Sequence, residues 1–176
     1  TKKKSMILPI IAYGDPVLRK MGVDIDKDYP NLGELIESMK ETMINARGVG
    51  LAAPQVGKAI RLFIVDTSPF AEDEDLSDTE REYLGSFKKV FINAKMLKEE
   101  GDEWAFNEGC LSIPNITEDV FRQEKITIEY FDENFEKHVE VVEGMAARVT
   151  QHEYDHIEGV LFIDKIASLT KRLIKK

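Results

Sequence analysis

Cysteine, histidine and tryptophan are all scarce in this chain of 176 residues, which contains one cysteine, three histidines and one tryptophan. A single cysteine excludes a disulfide bond within the chain and favours a reducing compartment. No apolar run reaches the length of a membrane-spanning helix, and no secretory leader with an apolar centre is visible. We therefore expect a cytoplasmic globular protein that makes no membrane contact.

Positive charge is also in deficit, since 24 lysines and arginines face 33 aspartates and glutamates and the formal net charge is −9. This balance argues against a chain that wraps nucleic acid, and we expect no specific nucleic-acid site. The exception is the strongly basic segment 164–176, DKIASLTKRLIKK. It is typical of a solvated helix whose final cations suit the helix dipole or, alternatively, of a docking surface for an anionic partner.

The two histidines in QHEYDHIEGV, residues 151–160, stand four positions apart. If 145–158 is a helix, then Met145, Val149, His152 and His156 share one stripe, and its apolar half predicts that this stripe is buried. Two buried imidazoles one turn apart can bind one metal ion. Glu153 would lie beside such an ion, where a carboxylate can move a proton to and from a water molecule.

The remaining pattern predicts an α+β fold, in which antiparallel strands pack around this central metal-binding helix, with an N-terminal helix and a C-terminal helix. Residues 6–176 are expected to form one domain, and residues 1–5 (TKKKS) are interpreted as a remnant of expression. A helix is predicted at 31–47, with Asn31 as its cap and Gly48 at its end, and irregular backbone is predicted at 48–57. A strand at 59–66 is expected to be followed by a polar surface segment at 67–86. Further along, the pattern predicts a short segment that ends at Pro114 and a hairpin around DENFEK.

A histidine pair needs a third ligand before it can form a metal site. The zinc peptidases that share the His-Glu-x-x-His pattern supply a glutamate or a third histidine downstream. No glutamate follows Glu158, and Phe162 stands where the third histidine would be. The ligand must therefore lie upstream, and His138, Cys110 and several carboxylates remain candidates. Cys110 is the strongest of these, because a thiolate with two imidazoles and an open fourth position is a catalytic pattern.

Three segments in this order, GVGLAAPQVG (48–57), EGCLSIP (108–114) and QHEYDH (151–156), resemble the three motifs of the peptide deformylases, and YGDPVLRK near the start is similar as well. The resemblance implies that Cys110, His152 and His156 hold one divalent metal ion. In many members of the family this ion is natively Fe(II), with zinc, nickel or cobalt able to replace it. A zinc peptidase with an upstream carboxylate ligand, and a structural metal module that binds a partner through the basic terminal helix, are the alternatives.

The same resemblance implies hydrolysis of the formyl group from N-formylmethionine at the start of newly made polypeptides, with release of formate. Glu153 would act as base and then as acid, and the Gln55 amide and the Leu111 backbone N–H would stabilise the developing oxyanion. Main-chain groups of Val49, Gly50 and Gly109 would pair with the substrate. The pocket for the methionine side chain would be lined by Val49, Met145, Val149 and the stem of Arg148. Because this substrate emerges from the ribosome, the basic C-terminal helix is expected to make a weak ribosome contact.

Overall fold

The computed structural model describes residues 6–166, and it confirms the predicted α+β class. The helices and strands follow one another as α1 (Leu32–Asn45), β1 (Gly50–Ala52), β2 (Leu62–Asp66), α2 (Asp78–Ser86), β3 (Lys88–Cys110), β4 (Ile113–Phe131), β5 (Lys137–Glu143) and α3 (Gly144–Ile157). Short 3₁₀ turns occupy Pro16–Arg19, Ala53–Val56 and Ser68–Glu72. The strands form one antiparallel sheet in the order β1-β2-β3-β4-β5.

Strand β2 shows why the sheet lies between helices. Its residues alternate between two apolar clusters: Phe63 and Val65 belong to the cluster that includes α3, whereas Leu62 and Ile64 belong to the cluster that includes α1. A strand covered on both faces is apolar throughout, and all four side chains are buried.

Helix α3 approaches the sheet closely because the side chains on its contact face are small. Ala146 and Ala147 are fully buried in the cluster that contains Ile126, Ile128 and Val142. The helix therefore lies against β4 and β5, and its C-terminal half is directed towards the end of β3. The predicted central helix and its antiparallel surroundings are thus present.

The hairpin predicted around DENFEK is confirmed, since β4 and β5 pair in antiparallel register from Lys125–Glu143 to Phe131–Lys137. The helix predicted at 31–47 is present as α1 with Asn31 at its N-cap, but the capping side chain predicted at Asn31 and the end predicted at Gly48 are wrong. Asn31 adopts a left-handed conformation with φ 57° and its side chain makes no capping hydrogen bond, and the helix gives way at Ala46 before Gly48 is reached.

Two further local predictions are corrected by the strand boundaries. The segment 48–57 is not simply irregular, because Gly50–Ala52 pairs with Phe63–Val65 as β1. Pro114 does not end a segment but lies inside β4. Gly50 is held in β1 by its pairing with Val65, whereas Pro114 has no N–H to donate and lies between Ile113 and Thr117, the residues of β4 that pair with Cys110 and Gly109.

The acidic segment 67–86 is more ordered than a polar surface segment. It contains a 3₁₀ turn and α2, whose N-terminus is capped by the Ser77 hydroxyl, which accepts a hydrogen bond from the Glu80 N–H at 3.2 Å. The Thr67 hydroxyl donates to the Leu84 carbonyl at 2.7 Å. Phe70 and Leu84 pack into the cluster beneath α3, so this segment contributes to the core.

The predicted C-terminal helix is seen only at its start, since residues 162–166 are helical and the rest of the basic segment lies outside the described residues. Residues 1–5 also lie outside them. Within residues 6–166, no helix combines the length and the apolar character needed to cross a membrane.

Candidate metal centre

Three potential ligands converge where the end of β3 meets α3. Cys110 is the last residue of β3, and His152 and His156 are one turn apart on α3. One ligand atom from each lies within 4.8 Å of the other two, and Cys110 Sγ is 3.4 Å from His156 Nε2. His138, another upstream candidate, is instead on β5 and contacts Asp132. The fold therefore brings together the cysteine and the two histidines across about forty residues of sequence.

These donors suit a divalent metal. A thiolate and two neutral imidazoles are the ligands that zinc, Fe(II) and related ions accept, and three protein ligands leave a position open. Buried polar groups normally have partners, yet Glu153 Oε2 and His156 Nδ1 have no hydrogen-bond partner among the described residues. The donor set and the unpartnered carboxylate oxygen beside it fit a metal site with room for a small oxygen-containing molecule.

The orientation of His152 is fixed from behind by a buried carboxylate. Nδ1 of His152 lies 2.9 Å from Glu108 Oε1, and because an ionised carboxylate only accepts hydrogen bonds, Nδ1 carries the proton. This leaves Nε2 as the atom able to bind a metal. Burial alone would raise the pKa of Glu108, but hydrogen bonds from His152 and Arg122 outweigh it and lower the pKa to about 2.

Glu153 lies beside the ligands without joining them. Its Oε1 is 4.0 Å from His152 Nε2, and the side chain is 6% exposed. Burial raises the pKa of Glu153 to about 7, a value suited to accepting and returning a proton near neutral pH. A Cβ on Gly50 would come within 2.7–2.9 Å of this side chain, so only glycine allows β1 to begin there.

Gln55 and Leu111 are also at the site. The Gln55 side chain is 1% exposed, and its Oε1 accepts a hydrogen bond from the Ala52 N–H at 3.0 Å. Its Nε2 donates to Ser112 Oγ at 3.2 Å and contacts Cys110 Sγ at 3.5 Å. Leu111 follows Cys110 in the turn between β3 and β4. The amide of Gln55 is therefore held with its N–H₂ group directed towards the thiol.

A cavity of about 430 Å³ opens onto these groups. It is lined by nearly all of the site residues predicted from sequence, namely Val49, Gly50, Gln55, Gly109, Cys110, Leu111, Met145, Arg148, Val149, His152 and Glu153. His156 is 1% exposed and lies behind the lining. The structure thus places the predicted ligands, the carboxylate and the predicted substrate pocket around one space.

Residues 7–172 match the family described as polypeptide deformylase. The chain belongs to the peptide deformylase family. Peptide deformylases are metallohydrolases that remove the formyl group from newly made polypeptides, and this chain is an enzyme of that class.

Known peptide deformylases match nearly the whole chain. The peptide deformylase of Christiangramia forsetii is 66% identical over 170 residues, which are 97% of this chain and 87% of the relative. The crystal structure of the Thermotoga maritima peptide deformylase has a TM-score of 0.78 at 39% identity, covering 92% of this chain and 98% of that one. A class I type b peptide deformylase from Acinetobacter baumannii, solved bound to Met-Ala-Ser, has a TM-score of 0.80 at 28% identity, covering 92% and 99%.

Two features of this deformylase site were missed by sequence reasoning. The first is the buried ion cluster behind His152, in which Glu108 is paired with Arg122. The position of Glu108, two residues before Cys110 and therefore on the same side of a strand, is a signal that could have suggested it. The second is Phe70, which reaches the cavity from the acidic segment and packs in the same cluster as Met145. No local pattern distinguishes Phe70 from an ordinary core residue.

Proposed function

We propose that this deformylase acts on N-formylmethionine and that Cys110, His152 and His156 hold one divalent metal ion in its active site. The observation that carries the proposal is the convergence of these three donors beside the unpartnered oxygen of Glu153, in a cavity open to a ligand. When bound, the metal would supply a Lewis acid that polarises the formyl carbonyl and makes a water molecule acidic enough to react near neutral pH.

Glu153 is the proposed proton carrier. Its carboxylate takes a proton from the attacking water and returns it to the amine that leaves when the C–N bond of the formamide breaks. Its raised pKa and its distance of 4.0 Å from His152 Nε2 support this role, because the group is close to the ligands but is not itself one of them. A positioned acid or base contributes roughly 10²- to 10⁴-fold to a rate.

Gln55 and the backbone N–H of Leu111 are the proposed donors to the oxyanion that forms on the formyl oxygen. The Ala52 N–H fixes the Gln55 amide, so its N–H₂ group needs little reorientation to reach that oxygen. Leu111 directly follows Cys110, and its N–H is therefore near the thiol by covalent geometry. One such donor is typically worth about 10²- to 10³-fold in kcat.

The substrate is proposed to bind as an added strand. Strand β1 lies at the edge of the sheet and pairs only with β2 among the described strands. Main-chain groups of Val49, Gly50 and Gly109, which all line the cavity, are the proposed partners of the extended peptide. Since the Acinetobacter baumannii relative was solved with Met-Ala-Ser bound, the same class of ligand suits this cavity.

The methionine side chain is proposed to enter the apolar part of the cavity. Val49, Met145, Val149 and the stem of Arg148 line this part, and Phe70 adds a wall that the sequence did not predict. An unbranched apolar side chain matches such a lining, since each buried methylene is worth about 0.8 kcal/mol.

Fe(II) is the proposed native metal, and the support for it is the family resemblance, because a thiolate with two imidazoles also accepts zinc, nickel or cobalt. The basic segment 164–176 is proposed to make a weak contact with the ribosome. A cytoplasmic location for this protein is proposed as well, because its substrates emerge from the ribosome.

The test is release of formate from formyl-Met-Ala-Ser by chains loaded without oxygen with Fe(II), Ni(II) or zinc. The proposal predicts stoichiometric metal and formate release with no cleavage of internal peptide bonds. Cleavage of unformylated peptides would instead favour a peptidase. Bound metal without either activity would favour a structural metal module.

A further inference from the structure

Arg148 has a second role available besides lining the cavity. It precedes His152 by one helical turn, and its side chain is only 2% exposed although it carries a full positive charge. Burying a guanidinium is costly unless its donors are paired, and here Nη1 and Nη2 are paired while Nε has no partner among the described residues. The groups that Arg148 contacts therefore indicate its role.

The guanidinium of Arg148 is directed at the carboxylate that holds His152. Nη1 donates to Glu108 Oε2 and, at 2.9 Å, to the Val120 carbonyl. Nη2 donates to the Trp104 carbonyl, and the Trp104 ring covers the guanidinium at 4.2 Å. Arg148 is thus fixed to β3 and β4 at once.

Glu108 has no freedom left once Arg148 is in place. Its Oε1 contacts His152 Nδ1 at 2.9 Å and accepts from Arg122 Nη2 at 3.0 Å. Its Oε2 accepts from Arg122 Nε at 2.7 Å and from Arg148. A carboxylate offers about four acceptor sites, so these contacts fill them. The carboxylate cannot rotate without breaking at least one charged hydrogen bond.

Arg148 and Arg122 do not duplicate each other. Arg122 also pairs with Asp155 at 2.8 Å, so its charge is shared between two acids. Arg148 has no second acid among its described partners and instead joins Glu108 to the backbone carbonyls of Val120 and Trp104.

We propose that Arg148 is a positioning residue: from the wall of the substrate cavity it locks Glu108, and through Glu108 it fixes the ring of His152 in its metal-binding orientation. This inference rests on the proposed metal site. It differs from the role predicted from sequence, in which the stem of Arg148 only lines the pocket.

The substitution Arg148→Met separates the two roles, because methionine keeps an unbranched apolar stem and removes the guanidinium. If Arg148 positions His152, a chelator should extract Co(II) from the variant about 10-fold faster than from the wild-type chain, the usual scale for an outer-shell partner. The visible spectrum of bound Co(II), which reports ligand geometry, should also change. In formate release, kcat should fall while KM changes little.

A second substitution tests whether the effect passes through Glu108. In a Glu108→Gln background, Arg148→Met should accelerate Co(II) loss by less than about 2-fold, since interacting residues are not additive. Equal acceleration in both backgrounds would overturn the proposal. Should Glu108→Gln fail to fold, Arg148→Lys replaces it: this variant keeps a cation near Glu108, and its release rate must fall between those of the wild type and Arg148→Met. A rate equal to that of Arg148→Met would overturn the proposal.

Arg61→Met is the matched control. Arg61 is also buried, with a carboxylate partner in Glu158 at 2.9 Å, a carbonyl partner in Ala94 at 2.8 Å and a ring contact with Tyr154 at 5.7 Å. Its loss should lower the melting temperature but leave Co(II) release within about 2-fold of the wild-type rate. If wild-type chain binds no Co(II), the proposed function fails. If wild-type chain binds Co(II) and Arg148→Met releases it at the wild-type rate, only this inference fails.

Discussion

Two groups of three side chains in residues 6–166 have ligand atoms within 4.8 Å of one another, and they differ in almost every other respect. One consists of Cys110, His152 and His156 at the cavity, and the other of Asp132, Glu136 and His138 on the β4–β5 hairpin. In the hairpin group, two of the three side chains, Asp132 and His138, already have hydrogen-bond partners. Asp132 Oδ1 accepts from the backbone N–H of Asn134 and Glu136, and Asp132 Oδ2 contacts His138 at 2.7 Å.

The cavity group is supported in a different way. Glu108 accepts a hydrogen bond from Nδ1 of His152, which leaves Nε2 available to a metal, and Glu153 lies beside the ligands with Oε2 unpartnered among the described residues. The hairpin hydrogen bonds stabilise a turn, whereas the hydrogen bonds around the cavity orient donors towards one point. Proximity of ligand atoms is therefore not enough to identify a metal site. The groups that hydrogen-bond to the ligand side chains distinguish a metal site from a turn.

The largest expected effect is at Cys110. Cys110→Ser should reduce bound metal from one ion per chain to near zero after dialysis, because two imidazoles alone hold a divalent ion weakly. Formate release should disappear with the metal. Metal analysis by mass spectrometry checks this, and normal metal content with normal turnover would show that Cys110 is not a ligand.

Removal of the carboxylate at Glu153 should have the next largest effect. Glu153→Gln should keep the metal and lower kcat by roughly 10²- to 10⁴-fold, the usual contribution of a proton carrier. Formate release with matched metal content is the measurement. A structural metal module would show no change in any activity, and retained turnover in a deformylase would remove Glu153 from the mechanism.

The same variant sharpens the electrostatic argument in the metal-free chain. Burial raises the pKa of Glu153 from 4.5 to about 7, so the folded state favours the protonated carboxyl. Its contribution to the free energy of unfolding is complete below pH 4.5 and is lost as the pH rises towards 7. The melting temperature of the wild-type chain should therefore fall across this window relative to Glu153→Gln. Parallel melting curves would mean that the carboxyl is not buried as described.

Phe70 should have a moderate effect that is confined to binding. Phe70→Ala removes an apolar wall of the cavity and should raise KM for formyl-Met-Ala-Ser by roughly 10-fold with little change in kcat. Tyr83→Ala is the control, because Tyr83 belongs to the same acidic segment, contacts Phe87 and does not line the cavity. Equal KM changes in both variants would indicate that the segment acts only through the core.

The smallest expected effect is at the hairpin group. His138→Ala should leave metal content and turnover unchanged and lower the melting temperature slightly, since a partly exposed polar contact contributes little. Isothermal titration with zinc checks the comparison. Loss of a bound metal ion in this variant would show that the hairpin group is a site after all.

Sequence reasoning reached the histidine helix because its information is local. A spacing of four and an apolar stripe are sufficient to place His152 and His156 on one buried face. The residues alone left His138 and several carboxylates open beside Cys110, which ligand chemistry favoured, and the family resemblance then implied Cys110 as the ligand. The contact between Cys110 and His156 depends on how β3 ends against α3, which no local pattern contains.

The predictions that were wrong or missing also concern contacts that no local pattern contains. Gly50 and Pro114 read as breaks in the chain, yet Gly50 pairs with Val65 of β2, and Pro114 lies inside β4 between Ile113 and Thr117, which pair with β3. Phe70 lies in a segment whose acidic composition predicts surface, and its wall position follows from how α2 packs on the core. The ion cluster of Glu108 and Arg148 joins two elements separated by forty residues.

X-ray absorption at the zinc edge of the zinc-loaded chain tests the metal centre most directly. It should show one sulfur at about 2.3 Å and two nitrogens at about 2.0–2.1 Å, with one light atom in the remaining position. A spectrum with nitrogen and oxygen neighbours but no sulfur would contradict the proposed centre, as would a fourth protein ligand that closes it.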